Sequence, residues 1–162
     1  METNKKELKK FGASEDCLNR FLKQIHNTSV DVDVASLVDG LNTYGDLLCL
    51  AGECLPKERI ARFACDCALI NIDLIEPHTD IYDLIVGWLR NPDLVNAGDV
   101  AGIAYTIVDN NYNNVPVYNA ACAVASAAEA VSGASINQVV SNTIKAGSFK
   151  QVNQLLIDMF NE

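Results

Sequence analysis

The sequence is poor in the residues that mark unusual chain architectures. Among 162 residues it has only 9 glycines and 4 prolines, and 49% of its residues are hydrophobic, which argues against collagen-like, low-complexity and wholly disordered chains. Positive charge is also scarce, because 12 Lys and Arg residues stand against 21 Asp and Glu residues. A net charge of −9 argues against nucleic acid or an anionic membrane as a direct partner.

Long apolar runs are absent as well. The first ten residues, METNKKELKK, hold four lysines and no apolar core, so we expect no secretory signal. The Ala-rich stretch around Cys122 is interrupted by Asn119, Ser126 and Glu129, which makes insertion into lipid unfavourable. We therefore expect a cytoplasmic protein whose six cysteines are free thiols.

The motifs of well-known enzyme classes are missing. The chain has no dinucleotide-binding fingerprint, P-loop, zinc-protease, nucleophile-elbow or EF-hand pattern. Cys49, Cys54, Cys65 and Cys67 suggest a zinc site. However, residues two apart on a helix point about 200° away from each other, so we interpret these cysteines as small packing side chains. We predict no metal and no cofactor.

The two histidines give no catalytic pattern either. His26 follows a predicted helix and His78 lies in a predicted loop, and no cysteine stands close to them in sequence, as a Cys–His pair would require. We interpret both as capping or solvated side chains. The sequence therefore predicts a binding protein with no catalytic residues, and not an enzyme.

Apolar residues recur at helical spacing along most of the chain. Ser14 before two acidic residues marks one helix start, and Pro116 suits the first turn of an Ala-rich helix. Residues 31–34 also fit an extended segment, but we favour a helix capped by Asp33. The pattern predicts a compact array of eight or nine short helices in one all-α domain, residues 1–162, with stacked helical hairpins as one arrangement. The predicted helices cover 14–25, 34–41, 47 to either Gly52 or Pro56, 56–75, 80–91, 93–109, 116–131, 135–146 and 148–160.

Negative charge is concentrated in the middle of the chain. Residues 27–110 carry fourteen acidic and four basic side chains, a net charge of −10. Such a surface can steer a basic protein towards the chain. Tyrosines beside the Asn-rich loop 110–114 can add adaptable contacts. We predict a partner-binding surface that includes Asp73, Glu76, Asp80, Asp83, Tyr112 and Tyr118.

Three segments stand out: residues 8–22, Asp-Leu-Leu-Cys-Leu at 46–50, and residues 59–68, in which Arg-Phe-Ala-Cys-Asp-Cys-Ala at 62–68 is followed by the helix with Trp88 and an Ala-rich helix at 116–131. In this order they resemble a helical family of immunity proteins, with similar sequences in phages and plasmids. These residues are mostly packing residues, so the resemblance assigns no catalytic role. It implies an all-α protein that neutralises a toxin or host factor by occupying its surface.

Three functional alternatives remain open beside the immunity-like inhibitor. The first is a phage-encoded inhibitor of a host defence or nuclease that imitates DNA, which requires Asp39, Asp46, Asp73, Asp80, Asp83, Asp93 and Asp99 to align on one face. The second is a metal-dependent enzyme with Cys or His ligands. The third is a homo-oligomer, because a mean hydropathy of +0.10 is high for a small soluble domain.

Overall fold

A computed structural model describes residues 2–10, 14–26 and 30–161 of the chain. The described residues are 74% helical, and two-residue strands, β1 (Glu2–Thr3) and β2 (Val32–Asp33), form their antiparallel sheet. The predicted all-α fold is thus confirmed. The helices are α1 Lys5–Leu8, α2 Glu15–Gln24, α3 Tyr44–Cys54, α4 Lys57–Leu69, α5 Tyr82–Arg90, α6 Leu94–Asn110, α7 Val115–Val131, α8 Asn137–Lys145 and α9 Phe149–Asn161, with 3₁₀ helices at Val34–Leu37 and Ile72–His78.

Local capping explains several helix starts. The Ser14 hydroxyl accepts a hydrogen bond from the Cys17 amide at 3.3 Å, and Pro116 lies in the first turn of α7, as predicted. Asp93 caps α6 by accepting from the Asn96 amide at 2.9 Å. These side chains satisfy or remove amide donors that the first turn of a helix leaves without a partner.

Two predicted boundaries in the first third of the chain are wrong. The helix predicted to begin at residue 47 begins at Tyr44, with Gly45 in its first turn, because Thr43 and Asp46 form a capping box before and within that turn. The helix predicted over 34–41 is a single 3₁₀ turn that ends at Leu37. Asp33 does cap it, accepting from the Ala35 amide at 3.2 Å, and the extended alternative holds for β2 just before it.

The helix predicted over 56–75 is also too long. Helix α4 ends at Leu69 and the chain continues as the 3₁₀ helix at 72–78. Between them, the Asn71 side chain makes two hydrogen bonds. Its Nδ2 donates to the Thr143 carbonyl at 3.1 Å, and its Oδ1 accepts from the Ser148 hydroxyl at 2.6 Å. The apolar periodicity continues through this junction, so only partners more than seventy residues away reveal the break.

The chain divides into two compact units. The first contains the described residues of 1–56 together with those of 156–162. Within it, the Gln24 side chain organises the loop before α3, because its oxygen accepts from the Leu41 amide at 2.8 Å and its nitrogen donates to the Leu37 carbonyl at 3.2 Å. A Cβ atom at Gly40 would overlap the Gln24 amide group, so a larger residue there would displace this side chain from its hydrogen bonds. The single domain over residues 1–162 stays a prediction.

The second unit, residues 57–155, is organised around α7. Helices α4, α6 and α8 and the 3₁₀ helix at 72–78 all pack on α7. Eleven of its 17 residues are buried, and most of them are alanines, whose small side chains let neighbouring helices approach closely. Trp88 belongs to the core of this unit and donates from Nε1 to the Asp93 carbonyl at 3.2 Å. No helix in the described part of the chain has the length and apolar character needed to cross a membrane.

Candidate protein-binding surface

The four predicted carboxylates of residues 73–83 are all exposed. Asp73 and Glu76 lie on the 3₁₀ helix at 72–78, Asp80 follows it, and Asp83 lies in the first turn of α5. The 3₁₀ helix buries Ile72 and Ile75, and this anchoring turns the acidic side chains outwards. The structure therefore presents all four carboxylates of one short segment to solvent. We call residues 73–84 the acidic segment.

Apolar side chains are exposed between these carboxylates. Leu84 is 56% exposed, and Leu74 and Ile81 are also large apolar residues at the surface. Exposed apolar groups next to charge are typical of interaction sites, in which the apolar groups supply the buried anchor. The acidic segment combines both kinds of group.

One hydrogen bond connects the two ends of the acidic segment. The Tyr82 hydroxyl donates to Oδ1 of Asp73 at 2.6 Å. This bond, with burial and nearby carboxylates as smaller causes, raises the pKa of Tyr82 to about 12, because a phenolate beside a carboxylate is unfavourable. The phenol therefore stays protonated at neutral pH and holds Asp73 in place.

The two predicted tyrosines lie elsewhere in the second unit. Tyr112 is 71% exposed in the turn between α6 and α7, and Tyr118 is partly exposed in α7. The thiol of Cys122, one turn further along α7, is the main cause that raises the pKa of Tyr118. In the described residues, no hydrogen bond joins either tyrosine to the acidic segment. The structure thus exposes all four carboxylates on one short segment of the chain, and the two tyrosines are separate exposed groups.

Asp46 is not part of any exposed acidic surface. It is buried in α3, where the Arg20 guanidinium donates two hydrogen bonds to its carboxylate. These bonds, with further donors from Thr43 and the Cys17 thiol, hold the pKa of Asp46 well below its usual value despite its burial. A DNA-imitating arrangement therefore cannot include Asp46, because Arg20 already neutralises its charge.

The cysteines differ in exposure. All six are free thiols; Cys17, Cys65 and Cys67 are buried and Cys49 is exposed. Burial is the main cause that raises the pKa of Cys65 to about 12, and it raises the pKa of Cys67 further. Thiols with raised pKa values are poor nucleophiles at neutral pH. The interpretation as packing side chains holds for Cys65 and Cys67, whereas Cys54 is half-buried and Cys49 is exposed.

No candidate metal centre or His-containing pair emerges from the described residues. The structure has no cluster of three or more His, Cys, Asp or Glu side chains arranged to hold an ion within residues 2–10, 14–26 and 30–161. His26 is exposed just after α2 in a left-handed backbone conformation, with φ at 52°. His78 is exposed at the end of the 3₁₀ helix. Both positions agree with solvated side chains.

A groove between α6 and α7 was not predicted from the sequence. It has a volume of about 220 Å³ and is lined by Ala97, Gly98, Ala101, Ala128, Glu129, Ser132 and Ala134. The Tyr105 hydroxyl donates to Oε1 of Glu129 at 2.5 Å across the two helices. The sequence signal was the pair Gly98 and Gly102, four residues apart within an apolar helix, since exposed glycines there leave the surface open.

Comparisons of the chain with protein-family models, with curated proteins and with solved structures found no match in any of the three. The resemblance to immunity proteins therefore stays a prediction.

Proposed function

We propose that this protein is a non-catalytic inhibitor that binds a toxin or host factor stoichiometrically through the acidic segment. The observation that carries the proposal is that four exposed carboxylates share one short segment with the exposed side chains of Leu74, Ile81 and Leu84. No Lys or Arg occurs anywhere in residues 63–89. The carboxylates are thus not neutralised by cations within their own stretch of sequence, and the segment suits a basic protein surface.

The two kinds of exposed group have different roles in such a complex. Carboxylates steer a basic partner and speed the encounter, an effect that weakens as salt screens the charges. Leucine and isoleucine side chains lose water when the complex forms and slow its dissociation. Binding of this kind needs no reactive group. The raised pKa values of the buried thiols support a role without nucleophilic chemistry.

The experiment compares two variants that lose the same charge. The first combines Glu76→Gln, Asp80→Asn and Asp83→Asn, and leaves the Asp73–Tyr82 hydrogen bond intact. The control combines Glu7→Gln, Glu53→Gln and Glu58→Gln, which are exposed on other helices. The partner is captured with the wild-type chain from the source cells and identified by mass spectrometry, and its affinity for each chain is then measured by calorimetry at two salt concentrations.

We expect a one-to-one complex in which the first variant binds about tenfold more weakly than the control, since each peripheral charge contributes about 0.2–1 kcal/mol. The difference should shrink at high salt. Unchanged affinity of the acidic-segment variant would overturn the proposal, and so would turnover of a substrate by the purified chain.

A further inference from the structure

One face of α6 is apolar, exposed and unusually open. Val95 is 88% exposed and Leu94 is 68% exposed, and Tyr105 is exposed two to three turns further along. Between them lie Gly98 and Gly102, where an added Cβ atom would meet nothing within 4 Å. Large apolar groups therefore flank a depression on the same helix.

The spacing along this face is that of a helix-packing seam. Leu94, Gly98, Ala101 and Tyr105 follow one another at intervals of four, three and four residues. Residues at alternating intervals of four and three lie on one side of a helix, where they can contact a second helix packed alongside. The groove of about 220 Å³ between α6 and α7 continues this face towards Ala128 and Ser132. The surface has the shape for a helix that inserts side chains into a groove.

The charge on this face is of one sign. Glu129 is the charged residue among those that line the groove. Residues 91–144 contain no Lys or Arg, whereas they contain Asp93, Asp99, Asp109 and Glu129. A second copy of the same face would offer Glu129 no cationic partner, since every residue that lines the groove lies within residues 91–144. A cationic side chain on an otherwise apolar helix would instead meet Glu129, and its methylene stem would lie against the alanines.

We propose that the groove between α6 and α7 binds a helix of a partner protein that presents apolar side chains to α6 and a lysine or arginine to Glu129. This docking surface goes beyond the acidic segment, because none of the residues that line the groove belongs to residues 73–84. The Tyr105 hydroxyl holds the Glu129 carboxylate at the groove before any partner binds. Preorganisation of this kind reduces the entropy lost on binding.

The test uses the full chain and two synthetic amphipathic helices, 18 residues long, one built of Leu and Lys and the other of Leu and Glu in the same pattern. Gly98→Leu fills the groove. Gly52→Leu is the matched control, because Gly52 is an exposed glycine within α3 that also has open space around it. Glu129→Gln removes the charge alone. Affinities are measured by calorimetry, and the site is mapped by backbone amide chemical shifts.

We expect the Leu/Lys helix to shift the amide signals of α6 and of residues 128–134, and Gly98→Leu to weaken its binding at least tenfold. Gly52→Leu should bind within twofold of the wild type, and Glu129→Gln should bind several-fold more weakly. Thermal unfolding followed by circular dichroism checks that both leucine variants are folded.

Three outcomes would overturn the inference. The first is equal binding of the Leu/Lys helix to the Gly98→Leu and Gly52→Leu variants, and the second is equal binding of the Leu/Glu helix to the wild type. The third is a wild-type dimer in sedimentation that Gly98→Leu dissociates, since a second copy would then occupy the groove. The acidic-segment variant separates this test from the proposed function, because it should leave the shifts around Gly98 unchanged.

Discussion

Arg20 in α2 binds Asp46 in α3 through two hydrogen bonds, from Nε to Oδ2 at 2.6 Å and from Nη2 to Oδ1 at 2.7 Å. The Asp46 side chain is 6% exposed, whereas that of Arg20 is 37% exposed. Asp46 also accepts from the Thr43 amide at 2.9 Å, so the same carboxylate begins α3 and connects it to α2. Asp46 is one of the acidic residues of the sequence, but its carboxylate is buried and stabilises the first unit, so it adds no charge to an acidic surface.

Replacing Asp46 with Asn should lower the free energy of unfolding by about 1–3 kcal/mol at pH 7, since a charged, buried hydrogen-bond acceptor is lost. Water around the half-exposed Arg20 keeps the loss towards the lower value. The pKa of Asp46 is lowered from 3.8, so its contribution is complete above pH 3.8 and is lost as the pH falls towards the lower folded value.

Urea unfolding between pH 7 and pH 3 measures this effect. The difference between the wild type and Asp46→Asn should shrink as the pH falls through the unfolded pKa. Glu53→Gln, an exposed change on the same helix, is the control and should match the wild type within about 0.5 kcal/mol at pH 7. A constant difference across the pH range would contradict the role given to the Asp46 charge.

Replacing Asp73 with Asn should return the pKa of Tyr82 from about 12 towards 10, because the hydrogen bond to the Asp73 carboxylate is the largest cause of the shift. The carbon signal of the tyrosine ring next to the hydroxyl, followed by NMR as the pH rises, reports this pKa. Asp83→Asn is the control and should lower the pKa by less, since Asp83 acts only through its charge. Equal shifts in the two variants would contradict the hydrogen bond.

Thiol modification should follow burial. Cys49 is exposed and should react first with a soluble disulfide reagent, whereas Cys65 and Cys67 should react only when the protein unfolds, because burial raises their pKa values. Mass spectrometry of partly labelled protein identifies the order. The Cys49→Ser variant should lose the fastest phase, and labelling of Cys67 before Cys49 in the folded chain would show that the second unit opens readily.

Enlarging an alanine within α7 should destabilise the protein. Ala125 is completely buried, so Ala125→Leu should lower the free energy of unfolding by about 1–3 kcal/mol through overpacking. Gly87→Leu on α5 adds a side chain where the surface is open and should instead leave stability unchanged or raise it by up to about 1 kcal/mol. Urea unfolding compares the stability of the two variants. If Ala125→Leu were as stable as the wild type, free space would have to exist beside α7.

Part of the fold could be predicted because its signals are local. Ser14 lies three residues from the amide that it caps, and the apolar residues of α2 recur within ten residues of one another. Such hydrogen bonds and periodicities form within one helix, so the sequence contains both partners side by side. The exposure of the carboxylates at 73–83 was predictable in the same way, since charged side chains avoid burial without a partner.

The tertiary structure decided what depends on distant partners. Asn71, in the break after α4, forms hydrogen bonds with Thr143 and Ser148, more than seventy residues away. Asp46 is buried because it binds Arg20 in another helix. The α6–α7 groove exists only because two helices pack with small residues facing each other. The sequence by itself determined the all-α class, most helix starts and the acidic segment. Packing determined which helices break, which charges are neutralised and where the surface is open, because burial and pairing belong to the folded chain and not to any one segment.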